Sequence, residues 1–353
     1  MEYMGKKIWE DSPKSGDGHR QNYIDGIKAY IQRMNKTCKQ TRRAWMPPED
    51  LAKNLEGYRQ KYKDMIGLSL FAENPDKAPV QQLVGEDEVG KIYRLTIWLT
   101  EEIPFYAMLI VPHEAAEPMP LVVAQHGGYG TPELCSDFLG KNKYNHMVQR
   151  LLARGAAVLA PQIAVWAKEE GETMRAHPIA YDRLEMDVAM KRFGSSLTAL
   201  EMSGIMKAID YVSALPQIDD QKIGMMGISY GGYFTLNTMA ADTRIKAGYC
   251  VAVFNDRDVY SLTGWCYNSS AKMFQDAEVA ALCAPRKLFV QIGKEDEVFR
   301  YETAMPEVDR VYDYFKAFNK PENFGFSLWE GGHTMSDSDC GLDFLFNALN
   351  DVQ

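Results

Sequence analysis

No stretch of this 353-residue chain reaches the about 18 consecutive apolar residues of a membrane-spanning helix, and no apolar segment follows Met1-Glu2-Tyr3-Met4-Gly5-Lys6-Lys7. No membrane partner is expected, and the chain as given reads as cytoplasmic. There is no CxxC pair among the six cysteines, Cys38, Cys135, Cys250, Cys266, Cys283 and Cys340. That excludes a disulfide scaffold and a zinc site, so no metal and no cofactor is expected. Cys250 and Cys283 sit in apolar runs and read as small core residues. Excess positive charge is missing too. The net charge is −9, and phosphate binding needs a basic face, which argues against nucleic acid as a partner, and none is expected. Low-complexity tracts are absent, and a hydrophobic share of 46% against 25% charged predicts a sizeable core.

The charge is unevenly spread. Residues 1–70 hold 14 Lys and Arg against 9 Asp and Glu, a net +5, which leaves −14 on the remainder. The plain reading is a solvated helical face. Two helical patterns account for it. Tyr23, Ile27, Tyr30, Ile31 and Met34 form one apolar stripe, and Leu51, Leu55, Tyr58, Tyr62, Met65 and Ile66 a second. Met46-Pro47-Pro48-Glu49-Asp50 separates them with helix-start residues. A single stripe per helix predicts packing on a larger body, as a helical extension over residues 1–88.

From about residue 91 the period changes. Ile92 to Leu99 and Phe105 to Val111 alternate as a hairpin. Short apolar runs follow at Leu121-Val122-Val123-Ala124, Ala156 to Ala160, Ile223 to Gly227, Ala247 to Phe254, Lys287 to Ile292 and Phe324 to Trp329. Helical stripes lie between and after them, at Met202, Ile205, Met206, Ile209 and Val212 and at Leu342, Leu345, Phe346 and Leu349. This pattern predicts an α/β fold over residues 89–353, with a mostly parallel central sheet, an antiparallel front hairpin and helices on both faces. The early hairpin at a sheet edge is compatible with a homo-oligomer. The segment at about 163–198 is too long for a plain connection and is expected to form a lid or rim.

The chemistry is carried by Gly227-Ile228-Ser229-Tyr230-Gly231-Gly232, which directly follows a buried strand and precedes a helix from about Tyr233 to Ala240. A serine in a tight strand-to-helix turn has strained angles and needs small neighbours two residues away on each side. The helix start beneath it supplies a positive field for a developing oxyanion. Ser229 is therefore the candidate nucleophile. It needs a base, and His333, in Glu330-Gly331-Gly332-His333, is the only one of the six histidines downstream of it. The orienting carboxylate should follow the strand ending at Ile292. Gly293-Lys294-Glu295-Asp296-Glu297-Val298 offers three acids, of which Asp296 falls back over the strand end, whereas Glu295 and Glu297 read as solvated. Asp256 or Asp258, after the preceding strand, is the second choice. The oxyanion donors expected are the backbone N–H groups of Tyr230 and of Gly128, in the loop His126-Gly127-Gly128-Tyr129-Gly130. His126 reads as a brace for that loop. A phosphate cradle is disfavoured, since no Lys-Ser/Thr pair closes the glycine string.

With these residues placed, the chain resembles the α/β-hydrolase superfamily over roughly residues 90–350. More narrowly, it is similar to the dienelactone-hydrolase and acetyl-xylan-esterase-like branch. That likeness rests on the HGG loop, on Leu215-Pro216-Gln217-Ile218-Asp219 leading into Lys222 to Gly232, and on the late Gly-Gly-His. The lead-in is shared by esterases and oligopeptidases. The nucleophile is Ser rather than the Cys of true dienelactone hydrolases, and the first 85 or so residues fall outside the resemblance. The resemblance implies a Ser229–His333–Asp296 esterase acting on a small-molecule ester, with an acylated sugar as one candidate. Trp166, His177, Tyr181 and Arg183 are candidates for a sugar or acid site, or for lid packing. Two alternatives stay open, an oligopeptidase-type serine peptidase and a non-catalytic binding protein on the same fold.

Overall fold

The computed structural model describes residues 2–113, 118–138, 140, 142–164, 181–261 and 263–351. Its centre is a nine-stranded sheet made of β1 Val80–Glu86, β2 Gly90–Trp98, β3 Pro104–Pro112, β4 Met119–Gln125, β5 Ala157–Pro161, β6 Ile218–Ile228, β7 Ile245–Val251, β8 Lys287–Gly293 and β9 Phe324–Trp329. The spatial order is β9-β8-β7-β6-β4-β5-β3-β2-β1. The pairs from β5 through β9 are parallel, and β1, β2 and β3 join antiparallel at one end. The expected α/β architecture is thus observed.

Alternation along the parallel strands divides the core into two layers. Leu121 and Val123 of β4 face one side, where they pack with helices α3 Leu55–Ile66, α6 Leu197–Ser213, α7 Tyr230–Ala241, α8 Asp276–Cys283 and α9 Tyr301–Ala317. Val122 and Ala124 face the other, against α4 Met147–Leu152 and α10 Cys340–Asn350. Both faces being covered explains why these strands read as continuous apolar runs rather than as an alternation with polar residues. Between α4 and α6 the described part of the expected lid holds one helix, α5 Arg183–Lys191, which Asp182 caps by accepting from the N–H groups of Leu184 and Glu185. Trp166 and His177 lie outside the described residues. Cys250 and Cys283 are buried, as their apolar surroundings imply. Among the described residues no helix is long and apolar enough to cross a membrane.

The N-terminal extension differs from expectation in two ways. The sheet takes the segment Val80–Glu86 as its edge strand, so the helical part ends before residue 88. The two apolar stripes also have different fates. Tyr58, Tyr62 and Ile66 of α3 are buried, and Arg59 ties that helix to the body by donating to the carbonyls of Ala240 and Leu282, each at 2.9 Å. Helix α1, Asp17–Trp45, packs only through its second half, where Cys38 and Arg42 are buried. Its first stripe stands in solvent, with Tyr23 71% and Tyr30 56% exposed. A surface stripe of helical period is not always a buried face. None of the residues 2–33 is buried. Deleting residues 1–33 is therefore expected to move the melting temperature by less than about 2 °C in a fluorimetric melt. A larger drop would show that the arm braces the body.

Candidate active site

The register of the parallel strands brings four loops to one sheet edge. Gln125, the last residue of β4, pairs with Gly227 in β6, Ile228 with Val251 in β7, and Gly293 of β8 with Trp329 of β9. The residues just beyond these strand ends include His126, Ser229, Asp296 and His333. The carboxyl edge of a parallel sheet is where such folds carry their ligands.

Ser229 occupies the turn between β6 and α7. Its backbone has φ 58° and ψ −124°, a sterically costly conformation for a residue with a Cβ. The turn is held by the Ser229 N–H, which donates to the Val251 carbonyl at 2.8 Å. Crowding beneath it explains the flanking glycines. A Cβ on Gly231 would lie 2.1 Å from the Gln125 carbonyl oxygen, and one on Gly227 would lie 2.5 Å from the Gly231 backbone.

His333 is turned toward Asp296, and its Nδ1 lies 2.9 Å from Asp296 Oδ2. The other carboxylate oxygen, Oδ1, accepts from the N–H groups of Val298 at 2.8 Å and Phe299 at 2.9 Å. With its side chain fully buried, the carboxylate is fixed at both oxygens, which sets the ring's orientation. Glu295 and Glu297 are exposed. The second-choice acids are engaged elsewhere, Asp256 with Lys39 at 2.7 Å and Asp258 with Gln275 at 2.9 Å. Among the described residues Ser229 Oγ makes no hydrogen bond to the imidazole; such bonds are often loose before substrate binds.

The glycine loop comes close to the serine, since a Cβ on Gly127 would stand 3.5 Å from Ser229 Cβ. Its own N–H is taken by the Tyr144 hydroxyl at 2.9 Å. Tyr230 opens α7, where a backbone N–H has no acceptor within the helix. His126 is fully buried and braces the loop at both ring nitrogens. Nε2 accepts from the Ile163 N–H at 3.3 Å, so Nδ1 carries the proton and donates to the Gly127 carbonyl at 2.9 Å. Two supports had no sequence signal. The Lys143 carbonyl accepts from the Thr334 hydroxyl at 2.7 Å, so the residue before Tyr144 bolts the histidine loop to the glycine loop. Burial pushes the Tyr144 phenol far up, so it stays protonated.

Arg183, a candidate for contacting substrate, is instead buried among protein groups at the side of Tyr230. Its partner is Glu201, whose carboxyl burial raises to about 7 against the opposing pull of Arg183. Tyr181 is half-buried. Among the described residues no cluster of three or more His, Cys, Asp or Glu is placed to hold a metal ion.

Solved structures share this fold. One is a Bacteroides fragilis NCTC 9343 protein named as an acetyl xylan esterase, matched with TM-score 0.64 and 15% identity over 80% of this chain and 76% of that one. Another is a glucuronoyl esterase from Solibacter usitatus, with TM-score 0.59 and 14% identity over 82% of this chain and 91% of that one. The chain has the α/β-hydrolase fold. In sequence, residues 196–305 of this hydrolase-fold chain match the model of the prolyl oligopeptidase family. YtaP of Bacillus subtilis (strain 168), a protein named as a hydrolase, is 25% identical over 262 residues, 69% of this chain and 82% of that one.

Proposed function

We propose that the protein is a carboxylic-ester hydrolase working through a covalent acyl-enzyme on Ser229, with an acetyl ester of a sugar or a similarly small ester as substrate. The observation that carries this reading is the fixed His333–Asp296 pair, on the same sheet edge as a serine in a strained strand-to-helix turn. Ser229 Oγ attacks the acyl carbon and gives its proton to His333 Nε2, while Gly128 and Tyr230 N–H groups receive the oxyanion. The protonated imidazole, stabilised by Asp296, then donates that proton to the departing alcohol. Water, deprotonated by the same ring, releases the acid. The sugar-ester part is supported by the esterase names of the structural relatives.

A peptidase is the second reading, favoured by the prolyl oligopeptidase match over residues 196–305. Two assays separate the possibilities. A fluorophosphonate probe is expected to add to the intact chain once, with the adduct on the Ser229 peptide by mass spectrometry. Turnover of p-nitrophenyl acetate is expected to exceed that of aminoacyl-naphthylamides. Labelling with the opposite substrate preference would favour the peptidase, and no labelling would remove the serine mechanism.

A further inference from the structure

We infer that Arg183 and Glu201 are positioning residues that brace both walls of the oxyanion hole through one buried ion pair, an inference that rests on the hydrolase reading above. The two side chains are 2% and 3% exposed, and they approach to 3.5 Å. Arg183 touches the first wall directly. Its guanidinium lies 4.8 Å over the Tyr230 ring and donates to the Tyr230 hydroxyl. Tyr230 is the residue that follows the nucleophile.

The second wall is reached through Ala164, which the pair grips at both of its backbone groups. Arg183 Nε donates to the Ala164 carbonyl at 3.0 Å, and Glu201 Oε1 accepts from the Ala164 N–H at 2.6 Å. The preceding residue, Ile163, donates to His126, whose other ring nitrogen donates to Gly127. Hydrogen bonds, joined by the peptide link from Ile163 to Ala164, therefore connect the glycine loop to the tyrosine. The ion pair sits at the middle of that path.

Stability alone is a poor reason to bury such a pair, because desolvation of the two ions offsets much of their attraction. Geometry is a better one. Oxyanion donors act only when aimed at the position the charge will take, and small displacements cost large factors in rate. A planar guanidinium fork can hold a carbonyl, a carboxylate and a phenol in one fixed relation, which a lysine cannot copy.

The test uses the full chain with Arg183→Met, Arg183→Lys and Tyr230→Phe. For Arg183→Met, kcat on p-nitrophenyl acetate is expected to fall about 10- to 100-fold with KM within about threefold of wild type. The inhibition constant of a trifluoromethyl ketone, which mimics the tetrahedral state, should rise by the factor that kcat/KM falls. Arg183→Lys should recover part of both losses. A role confined to stability predicts the opposite, a lower melting temperature with kcat and the ketone constant unchanged in the folded protein, and that result overturns the inference. If Arg183→Met does not fold, Tyr230→Phe removes only the hydroxyl Arg183 holds. It is expected to lower kcat about 3- to 10-fold at constant KM, and wild-type kcat in that variant overturns the inference equally. A wild type labelled by fluorophosphonate at Ser229 beside unaffected variants sinks this inference alone. A wild type that resists the probe sinks the hydrolase reading and this inference with it.

Discussion

Replacing Ser229 by alanine is expected to lower kcat on p-nitrophenyl acetate on the order of 10⁵-fold, while leaving the fold intact. Nucleophile and base act as one unit, so losing the hydroxyl forfeits the acyl-enzyme route rather than weakening one contact in it. What survives comes from the oxyanion donors acting on water. The fold should be indifferent because Ser229 Oγ makes no hydrogen bond among the described residues and the side chain is only half-buried. Alanine keeps the Cβ and with it the strain of φ 58°, ψ −124°. Glycine relieves that strain, so Ser229→Gly should melt higher than Ser229→Ala. Such an ordering would mean the chain maintains an unfavourable turn for the sake of reactivity. An alanine variant retaining more than about a tenth of wild-type turnover would remove the covalent mechanism.

The largest stability effect is expected at Glu278, far from the chemistry. Its carboxylate is fully buried, with Arg42 of α1 at 3.1 Å on one oxygen and Arg310 of α9 on the other. Glu307 is Arg310's second acid, at 2.6 Å. Glu278→Ala leaves two guanidinium groups in the interior with one carboxylate near them, and breaking a buried pair in this way costs about 3–5 kcal/mol. The loss should appear as a lower urea midpoint with unchanged slope. Glu278 also completes the capping box at the start of α8, accepting from the Gln275 N–H at 3.2 Å. Glu278→Gln keeps that bond and should lose less. A midpoint shift worth under about 1 kcal/mol would mean that water reaches the arginines and takes the carboxylate's place.

The elements that sequence made legible are those whose burial follows a period. The parallel strands, α6 and α10 bury a regular set of positions, and the apolar letters record it. Ser229 and the Gly-Gly-His loop were legible because sterics leave few residue choices there. Strand β1 was not. It is a sheet edge with a register break between Leu83 and Gly85, so Val80, Leu83 and Val84 are all exposed and no alternation survives. The stripe on α1 erred in the other direction, as a helical pattern with nothing packed on its first half. The pair of Arg183 and Glu201 left no trace in sequence. A polar contact between side chains on different helices has no period, and its meaning depends on Tyr230 and Ala164 meeting it in space. The tie from Lys143 to Thr334 is hidden for the same reason, since a backbone carbonyl carries no residue code.

The chain order of the four loops at the sheet edge bears on how the protein is made. The glycine loop is synthesised first, on a strand whose neighbour β6 comes about a hundred residues later. The serine follows, then the acid, and His333 emerges 104 residues after Ser229. At about 5–20 residues per second, a ribosome needs roughly 5–20 s to cover that interval. If His333 is the base of Ser229, as proposed, the nascent chain carries throughout it a serine with nothing to activate it. On that reading, reactivity is postponed until nearly the whole sheet can close, and a product released before residue 333 is expected to be inert toward esters and toward covalent inhibitors of this type.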